Sequence, residues 1–537
     1  IHKAMQRLFG ENAPEPVLAV PGYFKVGEHE GRALPGWKVL WDDDGGRDER
    51  RLLSRWAAEN TKRYLAAAVA VGTVDQAMLA GLQVKHAHLR SAALARSLLV
   101  IDEVHASDRY MSEILTHLLK THLFRGGYAM LMSATLGSVA RVRWLNQQRR
   151  PAAPPFDEAA RTPYPAIWGI GRQGPYTPHS DGREKRVTMH LAASWSPEEA
   201  ASRAIDAACA GAKVLVVRNT VAAALATFRA VQEAGGGRWL WQVEGGPALH
   251  HSRFAPEDRK LLDVAVETAL SPRVDERPSG GLIAIGTQTL EQSLDIDADL
   301  LITDLCPADV LLQRIGRLHR HALARPDGFE VPRCVVLAPE GGHDAFTAPK
   351  FENGLGMFRD GGGVYQNLHA CELTRRLVVD HSEWIIPQMN RLLVESATHP
   401  ELVEALNREL GPAWEEYWSR IYGASIADAG SARNVTLRTD KALIDAGCNP
   451  CLFPGEDAAQ IVRTRLGAEG ARIKFAAGVV GPFGQPVSGV TLPAHWSKYL
   501  DAPEEDVTPE TVDGKLHFTL GEMKFSYSRE GLERTRS

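Results

Sequence analysis

Two hydrophobic patterns alternate along most of this chain. Short unbroken apolar runs predict buried strands at Leu98-Leu99-Val100-Ile101, Tyr128-Ala129-Met130-Leu131-Met132, Lys213-Val214-Leu215-Val216-Val217, Leu282-Ile283-Ala284-Ile285, Leu300-Leu301-Ile302-Thr303 and Cys334-Val335-Val336-Leu337. Between them, apolar residues recur at helical spacing. Leu52, Leu53, Trp56, Ala57, Tyr64, Leu65 and Ala68 predict a helix over 51–71, and Leu82, His86, Leu89 and Ala93 a second over 79–94. Met111, Ile114, Leu115, Leu118 and Leu119 predict a third over 108–123, with Ser107 as its cap. Further helices are expected over 197–210, from Thr220 to about Ala234, and over 308–321. Strands alternating with helices imply parallel sheets, so the fold class is α/β with two tandem units.

The pattern changes beyond residue 345. Glycines crowd 354–363, helical spacing returns over about 366–422, and short alternating runs such as Lys515-Leu516-His517-Phe518-Thr519-Leu520 follow. The expected organisation is a first α/β domain over 1–160 and a Pro-, Arg- and Gly-rich linker over 161–195. A second α/β domain is expected over 196–345, a helical linker over 346–425, and a small α+β accessory domain over 426–537. No apolar run reaches the ~18 residues a bilayer span needs. A net charge of −5 argues against a protein that merely coats nucleic acid. Six cysteines are few, and buried thiols in a reducing cytoplasm fit them. Cys448 and Cys451 form a lone C-x-x-C without the second ligand pair a zinc knuckle requires.

Candidate chemistry sits where strands end. Asp102-Glu103-Val104-His105 follows an apolar strand, the position at which an ATPase sheet presents a Mg²⁺ ligand and a water-activating base. Asp102 reads as the metal-side carboxylate and Glu103 as the base; His105 suits a link between the nucleotide and the second unit. Ser133-Ala134-Thr135 ends the next strand after one strand–helix–strand crossover, so the Ser133 and Thr135 hydroxyls should lie near the carboxylates. In Gln313-Arg314-Ile315-Gly316-Arg317-Leu318-His319-Arg320, a helix would set Gln313, Arg317 and Arg320 on one face. Arg317 and Arg320 fit as arginine fingers on a transferring phosphoryl group. Small hydroxyl and amide residues after strands suit a sugar–phosphate backbone: Thr287 and Gln288, Thr73 and Gln76, and Arg218-Asn219-Thr220. Asp295, in Glu291-Gln292-Ser293-Leu294-Asp295, could bond a ribose hydroxyl.

These segments, with His251-Ser252-Arg253-Phe254, resemble superfamily-2 helicases, and more closely the CRISPR-associated helicase–nuclease of type I interference systems, and Trp384-Ile385-Ile386-Pro387 resembles the linker of its subtype G. The resemblance is good over about residues 40–345. It implies two RecA-like domains, ATP and Mg²⁺ as cofactors, and 3′-to-5′ movement on single-stranded DNA. It also implies recruitment by a guide-RNA surveillance complex of the Cascade kind, which leaves a displaced strand. Two family features are missing. No G-x-x-x-x-G-K-S/T phosphate loop occurs, so the chain is expected to be an N-terminally truncated helicase with an incomplete first domain. His343-Asp344 lacks the neighbouring histidines of a nuclease centre, so nuclease work would belong to a missing part or a separate subunit. Another superfamily-2 helicase, acting on RNA or in DNA repair, and an ATPase-dead strand-binding or docking fragment remain as alternatives.

Overall fold

The computed structural model describes residues 2–9, 14–20, 24–34, 38–43, 48–104, 109–146, 152–172, 174–178, 184–291, 294–358, 361–437, 470–497, 500 and 506–535. His105, Cys448 and Cys451 lie outside these residues. The chain divides into two compact units: residues 1–134, 146–150 and 422–468, and residues 135–145, 151–421 and 469–537.

In the first unit, residues before 73 contribute a sheet whose strands sequence reading left unassigned, except the last, which falls at the end of the helix expected over 51–71. Its strands run in the order Lys38–Trp41, His29–Leu34, Phe24–Val26, Val17–Ala19, Ala70–Gly72. All neighbours are antiparallel except the last pair. Val17, Ala19 and Val26 pack against Ala57, Ala58 and Tyr64. The helix expected over 51–71 stops early. It spans Glu49–Ala58, capped by the Asp48 carboxylate, and a turn follows in which Asn60 Oδ1 accepts from the Lys62 amide. Asn competes with the helix for backbone partners, which ends it there.

Strands Leu98–Ile101 and Tyr128–Leu131 pair in parallel, joined by the helix Arg109–Phe124. His122 on that helix lies 3.2 Å from Ser97 O and 3.0 Å from Tyr128 O, at the head of both strands. The first strand was expected to be wholly buried. Instead Leu98 and Val100 are exposed, while Ile101 faces inward.

The second unit is built on a six-stranded sheet. The order is Leu282–Gly286, Lys213–Val217, Leu300–Asp304, Arg333–Leu337, Lys185–Ala192, Glu383–Ile386. The first five strands are parallel and the last is antiparallel. Three of them are buried at every position, as their unbroken apolar runs require of a parallel sheet covered on both faces. Helices Pro197–Cys209, Val221–Glu233, Pro256–Ala269 and Ala308–Ile315 supply the cover.

Three expectations are corrected here. Residues 185–192, read as connecting chain, are an interior strand, and their alternating burial explains why the run was not recognised. Within the expected helical linker, Glu383–Ile386 adds a strand to the sheet between helices Leu368–Asp380 and Asn390–Thr398. Among the described residues, the C-terminal segment does not form a core of its own. Its strands, among them Lys515–Leu520, Met523–Ser528 and Gly531–Thr535, place Phe475, Phe518, Phe525, Tyr527 and Leu532 in the same buried cluster as Val214, Leu215 and Ile302.

Candidate active site

In the first unit the two acidic residues protrude from a fixed anchor. Met132 N donates to Ile101 O at 2.8 Å, and Val104 N donates to Met132 O at 3.0 Å. Both bonds go to one residue, so Asp102 and Glu103 are thrown outward as a two-residue bulge at the carboxyl end of a parallel strand. Both side chains are exposed, and Val104 is buried beneath them. The Glu103 amide donates to Asp102 Oδ1 at 2.9 Å. Glu103 has φ +52°, a left-handed conformation rare for a residue with a Cβ and frequent at functional sites. Ser133 directly follows the Met132 anchor. Thr135 is buried and belongs to the second unit, where Ser138 N and Oγ each donate to the Glu395 carboxylate at 2.7 Å. Thr73 is exposed at the start of the short helix Val74–Met78, whereas Gln76 on that helix is buried.

In the second unit the carboxyl ends of three adjacent strands meet in a buried polar network. Arg218 Nε donates to both Asp304 carboxylate oxygens at 3.0 Å, its Nη1 donates to Thr227 Oγ1, and its Nη2 donates to Trp195 O at 2.7 Å. The Asn219 amide donates to Asp304 Oδ2 at 2.8 Å, and Asn219 Nδ2 to Leu305 O at 2.9 Å. Arg314, fully buried, donates to Glu291 Oε1 at 2.7 Å, Asn219 Oδ1 at 3.1 Å and the Tyr365 hydroxyl at 2.9 Å. A buried guanidinium must have its donors satisfied, and this one has.

The network corrects several sequence readings. Arg218 and Asn219 face inward and hold the sheet edge together, so they are not placed to grip a nucleic-acid backbone. Thr220 Oγ1 accepts from the Ala223 amide as a helix cap, and Gln288 Nε2 donates to Asn219 O at 2.8 Å. Thr287 is buried, its amide bonded to His250 O. Close packing at this edge leaves no room for a side chain at Gly286, where a Cβ would lie 2.5 Å from His250 O. Arg314, Glu291, Asp304 and Tyr365 were missed as a group. Their signal was available: Asp304 ends an otherwise apolar strand, and Arg314 shares a helix face with Leu311 and Ile315.

The arginine segment is also rearranged. The helix ends at Ile315 rather than about residue 321, with Gly316 as its cap. Beyond it the chain is drawn to residue 298: Ala298 N donates to Arg317 O and His319 N to Ala298 O. Gln313 is therefore helical, while Arg317 and Arg320 lie on the following turn. Arg317 Nη2 donates to Glu291 O at 2.7 Å. Arg320, exposed, pairs with Asp295 at 3.3 Å, and His321 Nε2 lies 3.0 Å from the same carboxylate oxygen. Burial holds the His319 imidazole down at about 4, so it is neutral at physiological pH. His343 and Asp344 are engaged internally: His343 Nδ1 lies 2.7 Å from Glu372 Oε2, and Asp344 Oδ1 accepts from Trp414 Nε1 at 2.9 Å.

The residues present fit a Mg²⁺-bound nucleotide in one respect that geometry supports. Asp102 offers an exposed carboxylate at a strand end, and such an ion takes one or two carboxylates plus phosphate and water ligands. Among the described residues, His29, Asp42 and Asp43 form a denser ligand cluster, but Asp43 is bound by Arg55 and Asp42 by the Glu30 amide. No helix among the described residues is long and apolar enough to cross a membrane.

A family model for the C-terminal part of the CRISPR-associated nuclease/helicase Cas3 matches residues 210–323, which contain the arginine turn and the network apart from Trp195 and Tyr365. The CRISPR-associated endonuclease/helicase Cas3 of Escherichia coli strain K12 is 34% identical over 297 residues, covering 53% of this chain and 32% of that protein. The crystal structure of T. fusca Cas3 with ATP superposes with a TM-score of 0.55 at 26% identity, over 71% of this chain and 42% of that one. A chain of a CRISPR RNA-guided surveillance complex in a pre-nicking state has the same fold, with a TM-score of 0.61 at 22% identity over 88% of this chain and 61% of that one. The matches span about a third of the length of the curated relatives. With tandem RecA-like units and these motifs at their strand ends, the chain is similar over part of its length to the Cas3 helicases of type I CRISPR systems.

Proposed function

We propose that this chain carries the motor of an ATP-dependent DNA helicase in type I CRISPR interference. It moves along the single strand displaced in an R-loop, in the cytoplasm, as part of antiviral defence. A guide-RNA surveillance complex recruits it. The observation that carries the reading is the Asp102-Glu103 bulge hung from Met132 at the end of a parallel strand. Asp102 takes the metal side, and a bound Mg²⁺ would neutralise phosphate charge. Glu103 orients the attacking water and accepts its proton. Arg317 and Arg320 supply positive charge to the transferring phosphoryl group, with Gln313 beside them on the preceding helix. Ser133 supports the bulge, and Asp295 stays a candidate ribose partner. Thr73 is the exposed candidate for strand contact. The ATP-bound T. fusca relative supports nucleotide use, and the surveillance-complex relative supports the partner.

The test is Glu103→Gln in the full chain. DNA-stimulated ATP turnover should fall by about a hundredfold or more, with single-stranded DNA affinity unchanged. Retained turnover would remove Glu103 as the base. A second reading is strand binding without hydrolysis. It would stand if the parent chain bound single-stranded DNA and hydrolysed nothing. Preference for RNA over DNA would point instead to another superfamily-2 helicase.

A further inference from the structure

Arg317 and Arg320 sit on a turn with no helix of their own, so something outside the turn must fix it. Part of the answer lies at the first residue of the strand Lys185–Ala192, two places along the sheet from Leu300–Asp304. Lys185 Nζ donates to Ile315 O at 3.0 Å and to Leu318 O at 2.7 Å. These two carbonyls flank Gly316-Arg317. Ile315 O is the last carbonyl of the arginine helix, where partial negative charge accumulates and a cation binds best. Arg317 is also anchored by its amide to Arg314 O, its carbonyl from Ala298 N, and its guanidinium to Glu291 O.

We propose that Lys185 is a positioning residue, an ammonium clip that holds the arginine turn in register for the nucleotide. The clip rests on the ATPase reading above for its purpose, but not for its existence. It also makes the turn sensitive to pH. Burial brings the Lys185 ammonium down to about 8, against the pull of Asp297 and with the push of Arg320 and Arg325. The charged form predominates below that value. As pH rises through it, the ammonium loses its charge and the clip weakens. His319 on the same turn does not titrate in this window, because burial has already made it neutral.

The experiment measures deuterium-exchange protection of the amides of Arg317, Leu318 and His319 in the full chain, from pH 6.5 to 9.5. The parent's protection should fall through about pH 8 by about tenfold, while amides of the strand Lys213–Val217 stay constant. Lys185→Met should show the weakened protection at every pH. Lys185→Arg, which keeps its charge, should hold the parent's low-pH protection throughout. A flat parent profile, or Lys185→Met within twofold of the parent, would overturn the clip. Should Lys185→Met not fold, the contrast between parent and Lys185→Arg still decides. ATP turnover is read on the same samples. Lys185→Met should lower kcat by about tenfold with KM unchanged, and Lys185→Arg should recover it. A parent that hydrolyses no ATP defeats the functional reading, and the exchange data then judge the clip alone.

Discussion

At the scale of the residue, the second unit depends on charges placed where water cannot reach them. Asp304 accepts from Arg218 Nε and from the Asn219 amide, with neither acid nor guanidinium exposed. Burying two charges is costly, and the cost is offset only while each donor and lone pair is matched. Breaking one side leaves the other charge stranded. Asp304→Asn should therefore destabilise the second unit by about 3–5 kcal/mol, whereas an exposed, solvent-screened pair such as Arg273–Glu276 should matter far less. Urea midpoints for Asp304→Asn and Glu276→Gln provide the comparison. Equal small effects would mean that the network is not a buried charge system. The same residues show what a single sequence could not reveal. Arg218 and Asn219 were read as surface contacts because their types suit phosphate. Only the fold shows that the neighbouring strand delivers Asp304 to meet them.

At the scale of the element, legibility followed periodicity. Strand Lys213–Val217 and helices Pro197–Cys209 and Arg109–Phe124 fell within a residue or two of expectation, because one uninterrupted pattern specifies each. The misses share a cause: tertiary bonds override local pattern. Arg317 and Arg320 keep helical spacing, yet Ala298 and Lys185 draw the chain out of the helix. Strand Lys185–Ala192 alternates charged and apolar residues in a Pro- and Gly-rich neighbourhood, and its parallel partner lies far along the sequence at Arg333–Leu337. Helix Leu368–Asp380 contributes a charged hub that periodicity does not announce. Burial works against the Glu372 charge, but hydrogen bonds from Arg375, His343 and Arg376 hold its carboxyl well below the ordinary value of 4.5. A depressed acid stabilises the fold fully above its unfolded value, and that contribution is lost as pH falls below 4.5 toward the folded one. Glu372→Gln should thus cost about 2 kcal/mol at pH 7, and the gap between variant and parent should close on acidification. Thermal midpoints of both proteins from pH 7 to pH 3 test the sign. A gap that widens toward acid would refute it.

At the scale of the whole molecule, the C-terminal segment raises the question of where a domain ends. Sequence pattern set it apart as an accessory domain, since its short alternating strands differ from the long apolar runs of the parallel sheet. The packing instead joins them. Tyr527 OH donates to Asp258 Oδ2 at 2.5 Å on the helix Pro256–Ala269, and the same hydroxyl accepts from the Ala255 amide at 3.0 Å. Leu532 N donates to Arg253 O, and Phe254 packs among His251, Phe483 and Tyr527. The segment therefore covers the turn that carries His250, whose ring lies 2.8 Å from Thr289 Oγ1 beside Gln288 and Glu291. A shared core has a thermodynamic signature that two separate cores lack. Phe525, stacked on Phe518 and almost fully buried, should cost about 3–5 kcal/mol on replacement by alanine. If the core is one, that loss lowers the opening free energy of amides in the strand Lys213–Val217 as much as in the strand Met523–Ser528. Native-state hydrogen exchange on Phe525→Ala reads both at once. Destabilisation confined to the C-terminal strands would restore the accessory domain as an independent folding unit. It would also remove the route by which that segment supports the strand-end loops of the second unit.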